Sequence, residues 1–432
     1  MVERRFLAWL FGTCLLGAVL AALFCRAVDP YLVFGSPRVI GLNDIKTAIT
    51  QHEPMLKAYQ ASRSCARTVI LGSSRSGVGL DPDSAAWPTA MQPVYNLSVA
   101  GTDLDDGLQL LEVLLAHCSA HDRPATLVVL LDFESFLQPV LPPGIKTAAR
   151  SQADLEQDER LRQLARASFG PIMSNTRLLK DLATALLTTS ALADSIGTIV
   201  ASVRSAGASV LTNGKSSEWL LRQWTLAAGP GALFHQKHTL TARRFTVRHQ
   251  LELAPDGSFE ALVPVVALLK LAERHQLAVR LGVQPSHVTH HELMDALGYW
   301  HDFERWKRAV AGAAQAGRER GVDVVAWDFG GYESAFQERV APRGGARAPM
   351  ATFWDPVHYN VALGQRICAS LASGASGQRQ LGAELRPETV DLRNWQVRQD
   401  REAWRQAHPD LRAQALHYGC GPSPCPSPTV GP

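Results

Sequence analysis

The chain opens on an apolar run, Phe6 to Cys25, that contains no charged residue. A helix needs about 20 such residues to cross the hydrocarbon core of a bilayer, so the run predicts a membrane-spanning helix. No second run of comparable length follows, which predicts a single pass. Residues 29–66 lead away from it, punctuated by Asp29-Pro30 and Phe34-Gly35-Ser36-Pro37. Residues 67–73 form a short β-rich apolar run that ends at Gly72, as a buried strand delivering a loop would. Leu127 to Leu131, Ala278 to Val283 and Val322 to Trp327 repeat that pattern. Between the runs the apolar spacing turns helical: Leu104 to His117, with Leu108, Leu111, Leu114 and Leu115 on one face, then Ala261 to His275, Glu292 to Gly317 and Leu363 to Leu371. Pro139, Pro142, Pro143 and Gly144 break the pattern. From about 150 to 260 it is mostly helical with no clear strand, which reads as an insertion packed on a sheet. Residues 380–432 read as a polar helical tail with a frayed Pro/Gly/Ser-rich end.

Strands alternating with helices predict an α/β fold, a doubly wound and mostly parallel sheet with a helical insertion, preceded by one transmembrane helix. The expected division is a stub and anchor over 1–28, a lead-in over 29–66, an α/β domain over 67–375 with its insertion at about 150–260, and a tail over 376–432. Functional residues in such sheets gather at the carboxyl ends of the strands.

Composition narrows the partners. Among 432 residues, 46% are hydrophobic and 19% charged, which excludes a disordered chain. Lys and Arg number 43 against 40 Asp and Glu, a net charge of only +3 with no dense basic run, so no nucleic-acid partner is expected. Arg4 and Arg5 precede the apolar run, and the positive-inside rule then puts the N-terminus in the cytoplasm and the bulk outside the inner membrane. Leu23, Phe24 and Cys25 suit signal peptidase poorly, so an uncleaved anchor is expected. Beyond the anchor, Cys65–Cys118 and Cys420–Cys425 are the expected bridges in an oxidising compartment, with Cys368 a buried small hydrophobe. No Cys-x-x-Cys pair has metal spacing, and no metal or cofactor is expected.

Three strand-exit loops carry the chemistry. In Gly72-Ser73-Ser74-Arg75-Ser76, a serine at the mouth of a helix can present its hydroxyl where backbone N–H groups stabilise developing negative charge; a plain Ser-rich N-cap turn has the same sequence. In Asn96-Leu97-Ser98-Val99-Ala100-Gly101, Gly101 permits close backbone approach. In Trp354-Asp355-Pro356-Val357-His358, a carboxylate three residues from an imidazole can hold one ring nitrogen and leave the other free as a base; a surface salt bridge has the same spacing.

Together the three loops resemble the SGNH, or GDSL-type, hydrolase family, whose fold is a flavodoxin-like α/β sheet. Gly72-Ser73-Ser74 matches its first block with Ser73 in place of Asp, which puts Ser74 at the nucleophile position. Asn96 and Gly101 match the second block, which implies an oxyanion- or substrate-binding role for both, with Gly101 at the oxyanion position. Asp355 and His358 match the last block. The anchor adds a likeness to a membrane-anchored bacterial branch, whose members take part in lipoteichoic acid D-alanylation and alginate O-acetylation. The resemblance implies an acyl-enzyme on Ser74, a cell-envelope glycan or acyl donor as substrate, and a multi-pass membrane acyltransferase as partner. One block departs: Glu134 falls where the family has an oxyanion-hole Asn, and a carboxylate donates no hydrogen bond unless protonated. Arg75 is the residue that could complete the hole, and Trp354 the expected substrate wall.

Two readings follow. One is an extracytoplasmic serine esterase or O-acyltransferase; the other is a weak or inactive scaffold of the same fold that binds a glycan or an assembly partner. Three further features have bland explanations. His287, His290, His291 and Glu292 read as a solvated rim at a strand exit rather than metal ligands. His235, His238, Arg243, Arg244, Arg248 and His249 read as a solvated helix face. Trp300, Trp306 and Trp327 read as core.

Overall fold

The computed structural model describes residues 2–119, 121–140, 151–166, 176–251, 262–373, 381–421 and 425. Pro142, Pro143, Gly144, Ala261 and residues 426–432, where a pattern break, a helix start and a frayed end are expected, lie outside them. In chain order, α1 (Val2–Val28) precedes α2 (Ile49–Ala61), β1 (Thr68–Leu71), α3 (Ser74–Gly79), β2 (Val94–Asn96), α4 (Leu104–His117), β3 (Thr126–Leu131) and β4 (Leu137–Pro139). Five helices follow: α5 (Gln152–Arg166), α6 (Thr176–Leu187), α7 (Thr189–Val203), α8 (Trp219–Ala228) and α9 (Pro230–Arg244). Then come β5 (His249–Leu251), α10 (Val263–His275), β6 (Ala278–Val283), α11 (Val288–Ala296), α12 (Trp300–Glu319) and β7 (Val324–Asp328). The last are α13 (Val361–Ser373), β8 (Ala383–Glu384), α14 (Val390–Ala407) and α15 (Pro409–Cys420). They form two compact units, one of residues 1–65, 109–121 and 150–219, the other of residues 66–108, 122–149 and 220–432.

In the first unit, α1 is long and apolar enough to cross a membrane, and its residues from Glu3 to Leu20 are all exposed. Its C-terminal end packs on α6 and α7, with Cys25 and Val28 buried. The carbonyls there would be orphaned by the end of the helix. The buried Lys46 ammonium takes two of them, donating to Val28 O at 2.6 Å and Asp29 O at 3.0 Å. Burial pulls the Lys46 pKa down to about 8, against the pull of Asp29. Elsewhere in the unit, Asp181 gathers Arg160 at 2.6 Å, Arg177 at 2.9 Å and the Tyr59 hydroxyl at 3.1 Å. A disulfide joins Cys65 to Cys118.

The second unit is built on a six-stranded sheet in the order β2-β1-β3-β6-β7-β8, parallel except for β8, which runs antiparallel to β7. β1 and β3 are apolar along nearly their whole length because both faces are covered. After β1 the chain adds β2 on one side and then crosses to β3 on the other, so the order reverses beside β1, the place where α/β sheets open a crevice at their carboxyl ends. Two sequence expectations need correction here. The helix read from Glu292 to Gly317 is two helices, α11 and α12, broken where Gly298 takes a φ of +87°. The stretch read as strandless holds β5, which pairs antiparallel with β4. The tail is helical as expected and is packed: α15 lies on α9 and α11, and Leu411, Ala415 and Tyr418 are buried. Cys420 and Cys425 form a disulfide, and Cys368 is fully buried.

The Trp354–His358 loop, expected at a strand exit, instead follows a long connection after β7 and leads into α13, and one contact aligns it with the loop after β1. α3 crosses α13 so closely that a Cβ on Gly364 would collide with the Gly79 carbonyl oxygen, and a Cβ on Gly79 would enter the Tyr359 ring. Only glycine fits at both positions. Gly364→Ala should therefore destabilise the solubilised full-length chain by about 1–3 kcal/mol, the range for overpacking, read from urea denaturation midpoints. An alanine variant as stable as the wild type would show that α3 and α13 are not in this contact.

Candidate active site

The β1 exit leads through Gly72 into α3. Ser73 is its N-cap, accepting a hydrogen bond from the Arg75 N–H at 3.3 Å, and Ser74 is its first residue. The loop after β2 is tied alongside: Leu97 N–H donates to Ile70 O at 2.8 Å and Val99 N–H to Gly72 O at 3.1 Å. Asn96 proves to be part of this scaffold. It is fully buried, and its amide donates to Ser76 O at 2.9 Å and Leu80 O at 3.0 Å. Its side chain thus braces α3 and does not reach a substrate. Gly101, in the same loop, is exposed with a φ of +74°.

The third loop closes on itself. Phe353 and Tyr359 form an antiparallel bridge, and Trp354 N–H donates to His358 O at 2.8 Å. Within the turn, Asp355 Oδ1 accepts from the Val357 and His358 N–H groups, each at 2.8 Å. Its other oxygen lies 2.6 Å from His358 Nδ1, and His358 Nε2 lies 2.8 Å from Ser74 Oγ. Burial alone would raise the Asp355 carboxyl. The His358 imidazole, Lys237 and the Val357 amide outweigh it and hold Asp355 well below the usual carboxylate range. An ionised Asp355 accepts from Nδ1–H, which leaves Nε2 to accept the Ser74 hydroxyl proton. Serine, histidine and aspartate thus form one relay. Trp354 is nearly buried, against Val78 and Leu221, so its ring is packing rather than the open wall expected of it.

Beside the relay lies a charge cluster. Arg75 pairs through Nε with Asp132 at 2.9 Å and through Nη2 with Glu134 at 3.1 Å, while Nη1 reaches Ser286 Oγ at 3.3 Å. Glu134 also meets His290 Nε2 at 2.7 Å and Arg244 at 4.0 Å. Burial would raise the Glu134 carboxyl; His290, then Arg75 and Arg244, reverse that and hold it far below its ordinary range. Glu134 is therefore ionised and accepts only. Arg75, placed by the sequence as a completing donor, is committed to two carboxylates and a hydroxyl.

The His287–Glu292 segment is not the solvated rim that the sequence suggests. His287, His290, His291 and Glu292 are all buried. His287 caps α11 through its side chain, its Nε2 meets Glu338 O at 2.7 Å, and its backbone N–H donates to Pro356 O at 2.9 Å. Burial lowers its pKa to about 4. Glu292 accepts from Tyr332 at 2.6 Å, Arg405 at 2.8 Å and Arg412 at 2.9 Å. The segment is a brace for the Asp355–His358 turn. Gln284 belongs with it, donating to Ser76 Oγ at 2.6 Å. The sequence reading passed over Gln284 and Ser286, although both directly follow β6. His238, read as exposed, is buried as well, and Trp300, Trp306 and Trp327 lie in the core. Among the described residues, no group of three or more His, Cys, Asp and Glu side chains is placed to hold a metal ion.

Two cavities flank the loops. One is lined by Gly72, Ser73, Thr102, Asp103, Leu131 and Asp132. The other is lined by Arg75, Glu134, Gln284, Ser286, His290 and Trp300, among others. Comparison with protein-family models and with curated proteins gave no match.

Glu134 carries a testable pH signature. A carboxyl whose folded pKa is depressed contributes stability that is fully present above its unfolded value of about 4.3 and is lost as pH falls through the folded value. Glu134→Gln removes one of the two carboxylates on Arg75 and the carboxylate that meets His290, and should destabilise the chain by about 1.5–3 kcal/mol at neutral pH. The gap to the wild type should begin to narrow as pH falls through about 4.3 and close only well below it. Denaturation curves at a series of pH values test this, and a gap that is absent at pH 7 or constant into acid would contradict it.

Proposed function

We propose that the chain is a membrane-anchored serine esterase or O-acyltransferase of the SGNH type, acting on cell-envelope carbohydrate through an acyl-enzyme on Ser74. The observation that carries this reading is the unbroken relay from Ser74 Oγ through His358 to Asp355, with separations of 2.8 Å and 2.6 Å. In this mechanism Ser74 Oγ attacks the ester carbonyl carbon while His358 Nε2 takes its proton. Asp355 orients the ring and stabilises the imidazolium. The Ser74 and Gly101 backbone N–H groups are the proposed donors to the oxyanion. Collapse of the tetrahedral intermediate breaks the ester C–O bond, and His358 returns the proton to the departing alcohol. Water or a sugar hydroxyl then attacks the acyl-enzyme by the reverse sequence, giving hydrolysis or transfer.

The strand order β2-β1-β3-β6-β7 supports the flavodoxin-like assignment. Arg4 and Arg5 in the first turns of α1, ahead of its apolar run, support a cytoplasmic N-terminus at the inner membrane, and the Cys65–Cys118 bridge suits an oxidising compartment outside it. The proposed donor of the acyl group is a multi-pass membrane partner, and no cofactor enters the reaction.

Glu134 favours a second reading, a scaffold of the same fold that binds a glycan or an assembly partner. An acceptor-only group stands where the family has an oxyanion donor, and losing one donor costs about 10²–10³ in rate.

Turnover of p-nitrophenyl acetate by the solubilised full-length chain separates the two. The enzyme reading expects hydrolysis that falls by about 10⁴-fold or more in Ser74→Ala and in His358→Ala. Activity that survives Ser74→Ala contradicts the relay assignment, and a folded wild type with no turnover favours the scaffold.

A further inference from the structure

The first unit carries an apolar surface that its own core does not use. On α7, Ala193, Ile196, Val200 and Val203 recur at three- and four-residue spacing and share one exposed face. Ile196 is 51% exposed and Val203 68%. Leu187, at the end of α6, is also exposed. The single acid of α7, Asp194, is engaged by the Tyr31 hydroxyl at 2.6 Å. Ser195 donates back to Ala191 O at 2.7 Å, and Ser202 accepts from Ile45 N–H at 3.0 Å.

The helix that carries this face is packed at the exit of α1. The end of α1 packs on both α6 and α7. The loop that follows is fastened to the same place: the buried Asn43 amide donates to Pro37 O at 3.1 Å and Ala27 O at 3.3 Å, and Asn43 Oδ1 accepts from Val39 N–H at 2.7 Å. Arg38 reaches Val210 O, just beyond α7, at 2.7 Å. The loop so held presents Val39, Ile40 and Leu42 to solvent, Ile40 at 91%. An isolated exposed apolar residue means little, but a contiguous set of them marks a contact surface.

We propose that this surface is a second membrane contact: α7 and the Val39–Leu42 loop form an apolar collar that sinks into the bilayer around the exit of α1. The occupant is lipid because the collar begins where the membrane-spanning helix ends. The 15 residues of α7 reach about 22 Å, short of the ~30 Å hydrocarbon core, so the helix lies in the interface rather than crossing it. Arg177 and Asp181 near the start of α6 pair with each other and with Glu156 and Arg160, which keeps that end of the helix out of the hydrocarbon. α6 and α7 meet at a bend of 62°, which lets α7 lie flat while α6 rises from the surface.

The test places a photoreactive leucine analogue singly at Ile196, Ile40, Leu16 or Leu155 of the full-length chain, in vesicles of phosphatidylethanolamine and phosphatidylglycerol. The analogue keeps the size and apolarity of the native side chains, so folding is preserved. Leu16, exposed on α1, reports the bilayer, and Leu155, 49% exposed on the polar α5, reports water. Lipid adducts at Ile196 and Ile40 should match those at Leu16 and exceed those at Leu155 by about ten-fold. Adduct yields no higher than at Leu155, or crosslinks to a second copy or to another protein in place of lipid, would overturn the proposal. The readout involves neither Ser74 nor turnover.

Discussion

Everything in the second unit turns on holding two loops, 284 residues apart in sequence, at a hydrogen-bond distance of 2.8 Å. Closing so long a loop carries an entropic cost that grows with its length. Two backbone contacts offset it. Gly364 of α13 lies against the carbonyl of Gly79 in α3, which fixes the helix after His358 on the helix that begins at Ser74. The His287 N–H then holds Pro356 O in the centre of the Asp355–His358 turn. Both are main-chain contacts, and they need small or specifically capped residues in place of bulky ones. The relay is thus a consequence of helix packing and strand order as much as of its three side chains.

The charge cluster next to the relay is a second constraint. Arg75 directly follows Ser74, and its guanidinium is spread over Asp132, Glu134 and Ser286. That arrangement clamps the first turn of α3 to the exits of β3 and β6. It also removes Glu134 and Arg75 from service to a substrate oxyanion, since every group Glu134 meets is a donor to it. On the proposed mechanism, the same pairing that stiffens the site leaves any oxyanion at Ser74 to backbone amides.

Much of this was legible in the sequence where strands were long and buried. β3 and β6 coincide with apolar runs because central parallel strands hide both faces, and the six-stranded, mostly parallel sheet follows from them. β4, β5 and β8 span two or three residues and have no period to read. The break at Gly298 was hidden because apolar residues continue through Leu297 and Trp300. Ser74 stood out at a strand exit, and Asp355 and His358 by their three-residue spacing, but nothing local states that the three meet. Asn96 misled because a buried amide bracing carbonyls and an exposed one binding substrate have the same sequence. His287 and His290 misled for the converse reason: polar residues read as solvated, whereas here each is buried with a specific partner.

The central claim is that Ser74 is an activated nucleophile rather than an N-cap serine that happens to touch a histidine. Reaction of the full-length chain with a fluorophosphonate, followed by peptide mapping, tests it most directly. The account predicts phosphonylation at Ser74, with Ser73 and Ser76 unmodified, and loss of labelling in His358→Ala. A well-folded chain that remains unlabelled, or labelling at Ser74 that does not depend on His358, would contradict it.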